Sequence, residues 1–72
     1  MKDLVEYLVK AVVDHPGLVR VDEKRAKEGW VYYVETHHQD KGRVIGRQGR
    51  VIEAIRTVVR SFSKGRVNVE VR

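Results

Sequence analysis

Two glycines three residues apart, Gly46 and Gly49, are the residues whose type and spacing most directly suggest chemistry. They lie in the stretch RVIGRQGRVIEAI, Arg43 to Ile55, which is otherwise patterned like a helix. Glycine inside a helix costs roughly 0.5–1 kcal/mol relative to alanine, so two glycines should break or sharply bend it. Bare backbone at this point would let a phosphate approach the main chain without meeting Cβ atoms.

The helix expected to resume after Gly49 adds a second element of a phosphate site. Its first N–H groups have no intrahelical acceptor and carry the positive end of the helix dipole. Arg43, Arg47 and Arg50 place forked cations around the same point. The alternative is purely structural, with Gly46 ending one helix and Gly49 loosening a turn.

The positive charge of the chain is concentrated around this loop. The 72 residues carry 15 Lys or Arg and 10 Asp or Glu, a net charge of +5. Eight of those basic residues and only one acid, Glu53, fall between Lys41 and Arg66, which gives this segment +7. A localised field of this sign indicates a polyanionic partner such as a nucleic acid.

Other kinds of site receive little support. The absence of cysteine excludes disulfides, thiolate metal sites and cysteine nucleophiles. A metal site at His37, His38 and His15 is disfavoured, because adjacent strand residues point to opposite faces. No nucleophile with an attendant base and no carboxylate pair is recognisable, so we expect no catalysis, metal or cofactor. The chain shows neither a membrane-spanning run nor a secretory leader, and we expect a cytoplasmic protein.

Hydrophobic periodicity predicts one domain, residues 1–72, with an α+β fold in two layers. The expected order is α-β-β-α-α-β, with the helices on one face of a three-stranded mixed sheet. The second strand should be central and parallel to the last, because a helical crossover connects them. The predicted ranges are Asp3–Asp14, Leu18–Arg25, Trp30–His38, Lys41–Ile45, Arg50–Phe62 and Arg66–Val71.

Several local features follow from the same patterns. Asp3 and Glu6 have the spacing of a capping box, and Asp40 is placed to cap the short helix. Alternation puts Trp30 on the helix-facing side of its strand with the core, and helical spacing puts Phe62 there too. The surroundings of the glycine loop should then lack aromatic rings, so binding of a polyanion there should be weak and sensitive to salt.

The run Val44 to Ile52, which reads VIGRQGRVI, resembles the K-homology (KH) domain, whose hallmark is an aliphatic pair and I-G-x-x-G-x-x-I between two helices. An extra helix and strand in front of the core resemble the type II arrangement. The segment Asp40 to Val59 and the DHP that follows the first helix resemble the KhpA family of small bacterial proteins with a single KH domain. The departures, His37-His38 and the hairpin DEKRAKEG, fall in edges and turns.

The resemblance implies a groove that clamps about four single-stranded nucleotides. Its walls would be the glycine loop with its flanking helices and, opposite, the sheet and the loop Ser63–Gly65. The residues expected to bind RNA hold the sugar-phosphate backbone, form an apolar floor under the bases, or add charge: Arg43, Val44, Ile45, Gly46, Arg47, Gln48, Gly49, Arg50, Ile52 and Lys64.

Membership of this family would imply an RNA chaperone or post-transcriptional regulator. It would also imply self-association, a partner of the KhpB type with its own KH domain, and a role in cell-wall homeostasis and cell length. Two alternatives keep the glycine loop as a structural turn: a protein-interaction or dimerisation module, and a ribosome-associated assembly factor.

Overall fold

The computed structural model describes residues 1–72 and contains three helices and three strands in the predicted order. Short 3₁₀ turns at Pro16–Leu18, His38–Asp40 and Arg47–Gly49 connect them. No helix is both long enough and apolar enough to cross a membrane. The elements are α1 (Lys2–Lys10), β1 (Arg20–Ala26), β2 (Gly29–Glu35), α2 (Lys41–Ile45), α3 (Arg50–Phe62) and β3 (Arg66–Val71).

The sheet has the predicted mixed topology, with β2 between β1 and β3. β1 runs antiparallel to β2, with Val21 opposite Val34. β3 runs parallel to β2, with Val69 opposite Tyr32. Parallel neighbours need a crossover connection, and α2, the glycine loop and α3 supply it. These observations confirm the α+β class and the element order.

A cluster of twelve buried side chains joins the helices to one face of the sheet. Ile52, Ile55 and Val59 recur at helical spacing on α3, while Tyr32 and Val34 alternate along β2. Burial, with a hydrogen bond to Glu23 and the charge of that carboxylate, raises the pKa of Tyr32 to about 12. The core is Val5, Val9, Val19, Val21, Tyr32, Val34, Val44, Ile52, Ile55, Val59, Val67 and Val69.

Both predicted helix caps are wrong. α1 begins at Lys2 after Met1, so Asp3 lies inside its first turn, and α1 ends at Lys10 rather than Asp14. Asp40 precedes α2, but its carboxylate makes no capping bond there. It accepts hydrogen bonds instead from the backbone N–H groups of Asp14 (3.1 Å) and His15 (3.0 Å), and from His15 Nδ1 (2.9 Å).

Asp40 therefore fastens the segment after α1 to the start of α2. It is the only buried charged residue of the chain. Burial by itself would raise its pKa, but the hydrogen bonds from Asp14 and His15 and the proximity of the His15 ring outweigh burial and hold the pKa below its usual value. The Asp40 carboxylate therefore joins two segments that are distant in the chain and does not cap its own helix.

Two aromatic residues expected in the core are exposed. Phe62 occupies the last turn of α3, beyond the sheet, and is 69% exposed. Trp30 lies on the helix-facing side of β2, but it is near the strand's first residue and keeps 37% of its surface exposed. The alternation gave the correct face for Trp30, and both residues lie near an end of their element.

Candidate nucleic-acid interface

The loop between α2 and α3 has a backbone that only particular residues can adopt. Gly46 has φ 76° and ψ 170°, Gln48 has φ 58° and ψ 25°, and Gly49 has φ 75° and ψ 15°. The Gly46 N–H closes α2 on the Gly42 carbonyl at 2.8 Å, and the Gly49 N–H donates to the Gly46 carbonyl at 3.1 Å. The chain thus reverses between the helices within four residues.

The two glycines have different reasons to lack a side chain. A Cβ on Gly46 would lie 2.4 Å from Val51 Cγ2 and 2.7 Å from the Val51 backbone nitrogen. The protein itself fills the space beside Gly46, which is therefore a packing glycine. A Cβ on Gly49 would meet nothing within 4 Å. The approach to the main chain expected at both positions is open only at Gly49.

Gln48 is the only non-glycine residue of the chain with positive φ. A left-handed backbone costs an ordinary residue about 1–2 kcal/mol, and strain of this kind is found most often at functional sites. The Gln48 side chain is exposed, and its Oε1 accepts a hydrogen bond from Arg50 Nη2 at 3.2 Å. The strained backbone therefore holds an amide and a guanidinium side by side at the start of α3.

The cations near the loop are not equally available. Arg47 and Arg50 are exposed, and neither forms an ion pair with a carboxylate. Arg43 Nη2 lies 3.1 Å from Asp14 Oδ2, so its charge is partly balanced. Lys64 follows the other end of α3, a 13-residue helix about 20 Å long. The structure brings Arg47 and Arg50 together at the loop and places Lys64 far from them.

The three aliphatic residues expected to form a floor under the bases differ in exposure. Val44 is fully buried and Ile52 is 5% exposed, so both belong to the core. Ile45 is half-buried and is the member of this set with surface left for a ligand. Val44 and Ile52 instead fix the positions of α2 and α3 on either side of the loop.

β3 is an edge strand of the sheet, and two arginines of α3 reach it. Arg56 Nε donates to the Val69 carbonyl at 2.9 Å, and Arg60 Nε donates to the Val67 carbonyl at 3.2 Å. One turn apart on α3, the two arginines are equally consistent from sequence with a solvated helix face and with an extended RNA path. The structure shows a contact that neither interpretation foresaw, since both side chains close the gap between α3 and the edge strand.

Arg56 and Arg60 nevertheless differ in charge balance. Arg56 Nη1 lies 3.3 Å from Glu53 Oε1, and Arg56 Nη2 lies 3.8 Å from Glu70 Oε2. Arg60 has no carboxylate partner and keeps its terminal N–H groups free. Its spacing on α3 was visible in the sequence, but its contact with β3 depends on the crossover.

The histidines do not form a metal site. β2 ends at Glu35, so His37 and His38 lie in the turn that follows and not in the strand. Their rings stack at 4.3 Å, and His37 stacks on His15 at 4.1 Å. No group of three His, Cys, Asp or Glu side chains is arranged to hold a metal ion. The stack packs the turn before α2 against the segment after α1.

Comparisons with known proteins place the chain in a family. Residues 2–72 match the KH domain of KhpA and KhpB. The chain is 47% identical to the RNA-binding protein KhpA of Leifsonia xyli subsp. xyli, covering 90% of this chain and 87% of that protein. It is 44% identical to the RNA-binding protein KhpA of Clostridium perfringens, covering 85% and 81%. It is 40% identical to the protein of the same name from Streptomyces coelicolor, covering 97% and 89%. No solved structure gives a significant match.

Proposed function

The chain belongs to the KhpA/KhpB KH-domain family, and we propose that it binds single-stranded RNA through the loop Gly46–Gly49. The observation that carries the proposal is the open backbone at Gly49, where α3 begins between two arginines that have no carboxylate partner. The resemblance of VIGRQGRVI to the KH signature and the names of these RNA-binding relatives support it.

Binding would begin with one phosphate of the RNA backbone at Gly49. The positive end of the α3 dipole would attract a phosphate oxygen, and the absent Cβ leaves room for it, while the N–H groups of Gly49 and Arg50 already donate to the Gly46 and Arg47 carbonyls. Arg47 and Arg50 would add charge-assisted hydrogen bonds from either side. Gln48 would orient Arg50 through the bond between its Oε1 and Arg50 Nη2. Ile45 would lie under the neighbouring base.

Such a site recognises the backbone of RNA more than its sequence. Two or three phosphate contacts predict that log affinity falls against log salt concentration with a slope of about −1.4 to −2.1. The glycine loop itself contains no aromatic residue, so stacking, worth about 1–3 kcal/mol per base elsewhere, does not strengthen binding there. One copy of the domain should therefore bind weakly.

We propose that the chain also associates with itself or with a KhpB-type protein. Val58 and Phe62 lie one turn apart on α3 and are both exposed, and Tyr7 of α1 is exposed as well. A chain of this length buries only about 60% of its unfolded surface, so covering these side chains would add stability. Two or more copies would also present several glycine loops to one RNA strand.

The cellular role follows from the family resemblance alone. We propose an RNA chaperone or post-transcriptional regulator of the cytoplasm, without enzymatic activity or cofactor, linked to cell-wall homeostasis and cell length. The exposed apolar residues favour protein interaction as an additional function and not as a replacement, since they lie apart from the glycine loop.

Fluorescence anisotropy of a labelled single-stranded RNA at two salt concentrations tests the proposal. The variant Arg47→Asp with Gln48→Asp should lose nearly all binding. The matched control is Lys2→Asp with Gly17→Asp, which makes the same charge change at exposed positions outside the loop. Circular dichroism should show that all three proteins fold alike.

Equal binding by the loop variant and the original protein would show that the glycine loop is a structural turn. Equal losses in the loop variant and the control would show that only net charge matters. Either result would make the interaction module the leading account.

A further inference from the structure

A cavity of about 600 Å³ lies at the end of α3 opposite the glycine loop. It is open to solvent and is lined by the β1–β2 hairpin, the start of β2, the end of α3 and the start of β3. Its lining includes Glu28, Trp30, Arg60, Gly65, Arg66 and Asn68. Its size falls within the range of sites that hold small organic ligands.

Trp30 gives this cavity an aromatic wall. Arg25 lies over the indole, with its guanidinium carbon 5.0 Å from the ring centroid, yet more than a third of Trp30 stays exposed. The hydrophobic effect favours covering such a ring. A flat apolar ligand stacked on Trp30 would do so without moving the core.

The cavity is also rimmed by cations. Arg60 uses Nε on the Val67 carbonyl, and its terminal nitrogens have no partner. Arg66 pairs with Glu28, the only acid among the lining residues. Arg25 and Lys64 lie nearby in the chain and form no ion pair. The surroundings therefore favour a ligand that carries negative charge beside its flat ring.

We propose that this cavity binds a nucleobase of single-stranded RNA, with Trp30 stacking on the base and Arg60 contacting the base edge or its phosphate. A nucleotide offers a flat π surface that could cover the exposed part of the Trp30 ring and a negative charge that could pair with Arg60. The Asn68 amide, which also lines the cavity, is already engaged with Glu70 at 2.7 Å, so base edges would be read mainly by the guanidinium.

The position of Arg60 connects the two sites. Its Nε is fixed on the edge strand β3, which the family resemblance makes one wall of the groove, while the same residue lines the cavity. A strand held at Gly49 can therefore run along α3 and β3 and end with one base on Trp30. The inference rests on the proposed function, since it extends the path of the same RNA.

Trp30 is the only tryptophan, so its fluorescence reports on the cavity directly. The probe is an oligoadenylate of about 12 nucleotides, three times the length that one KH groove clamps. Its titration should quench Trp30 emission, with the same midpoint as the anisotropy of the labelled strand. The loop variant Arg47→Asp, Gln48→Asp should shift both midpoints together.

A matched pair of variants tests the contribution of the ring. Trp30→Leu removes an aromatic ring beside Arg25, and Tyr33→Leu removes one beside Arg72, 4.6 Å from its ring centroid but outside the cavity. Trp30→Leu should weaken RNA binding roughly fivefold to 100-fold, and Tyr33→Leu should not change it. Arg60→Gln should weaken binding too, which keeps the test valid if Trp30→Leu fails to fold.

The outcomes separate this inference from the proposed function. Quenching together with weaker binding by Trp30→Leu and Arg60→Gln supports the cavity site. RNA binding without quenching, and with full affinity in both variants, overturns the cavity site and leaves the glycine loop intact. If no RNA binds, both proposals fail; if an acidic peptide alone quenches Trp30, the cavity is a protein-binding site.

Discussion

The two ends of α3 present two kinds of surface. At its N-terminus the glycine loop offers main chain, with Gly49 open to solvent and Gln48 held at positive φ. At its C-terminus the Trp30 cavity offers side chains drawn from a hairpin, a helix and two strands. A backbone site needs contiguous residues of special conformation, whereas a side-chain site needs residues that only the fold brings together.

The two ends of α3 also differ in how they lower the stability of the folded protein. The glycine loop depends on unusual backbone angles at three of its four positions. The Trp30 cavity uses ordinary strand and helix geometry, and its cost is the apolar surface left exposed. Substitutions of the two loop glycines should therefore lower stability, whereas substitutions at the cavity should act mainly on affinity.

The sharpest contrast lies within the loop itself, between its two glycines. Gly46→Ala should cost about 3 kcal/mol or more of unfolding free energy, because its φ and ψ suit only glycine and its Cβ would clash with the Val51 backbone. Gly49→Ala should cost only about 1–2 kcal/mol, because only φ opposes it. Urea unfolding monitored by circular dichroism measures both.

Gly49→Ala should also weaken RNA binding, since its methyl group enters the space proposed for the phosphate. A Gly46→Ala protein as stable as the original would show that Val51 moves aside and that the two glycines are equivalent.

Both ends of α3 depend on the hydrophobic core between them. The pH dependence of stability, through the buried Tyr32, tests the contribution of this core. The folded pKa of Tyr32 is about 12, above the ordinary value of 10.0, so the unfolded chain loses this proton first. Stability should be unaffected below pH 10 and should fall between pH 10 and 12, by up to about 3 kcal/mol. Urea midpoints measured across this range check it.

Tyr32→Phe is the control and should remove this part of the alkaline loss. If Tyr32→Phe and the original protein lose stability in parallel above pH 10, the lysines or the other tyrosines are responsible instead.

Arg56 and Arg60 both donate a hydrogen bond to a β3 carbonyl. We expect Arg56 to matter more for stability and Arg60 more for RNA affinity. Arg56→Gln should cost about 1–2 kcal/mol, because Arg56 also contacts Glu53 and Glu70 and is only 21% exposed. Arg60→Gln should cost less than about 1 kcal/mol. Thermal melts and RNA anisotropy on the same samples compare them, and reversed rankings would refute the division.

The smallest effect is expected at Gln48. Gln48→Gly relieves the left-handed strain but adds freedom to the unfolded chain, so stability should rise by only about 0.5 kcal/mol. RNA affinity should fall slightly, because Arg50 loses the Gln48 oxygen that holds it. A clear loss of stability would mean that the Gln48 side chain, and not the function of the loop, maintains this backbone.

Much of the molecule was predictable from local patterns. The ranges of α2, α3 and β3 were exact, because Gly46 and Gly49 mark clear boundaries and the apolar residues of α3 recur at helical spacing. Asp40 shows where such reasoning stops. Its position before α2 is typical of a cap, but a contact with Asp14, 26 residues away, took the carboxylate instead.

The candidate site likewise has features that could be predicted from the sequence and features that could not. The loop Gly46–Gly49 was found from glycine spacing, charge and family resemblance, and its RNA-binding role stays a prediction. The different duties of the two glycines could not be read from their spacing, because they depend on where Val51 packs. The cavity at Trp30 could not be predicted from the sequence either, because its lining residues span positions 26–68.

By itself, therefore, the sequence determined the order of the elements, the faces that pack together and the place where the main chain must be bare. These features depend on backbone conformation and on periods of two or 3.6 residues, which neighbouring residues specify. The tertiary structure alone decided which arginines stay free, which glycine stays open and which tryptophan surface stays uncovered. Those outcomes depend on contacts between segments far apart in the chain, and no local pattern encodes them.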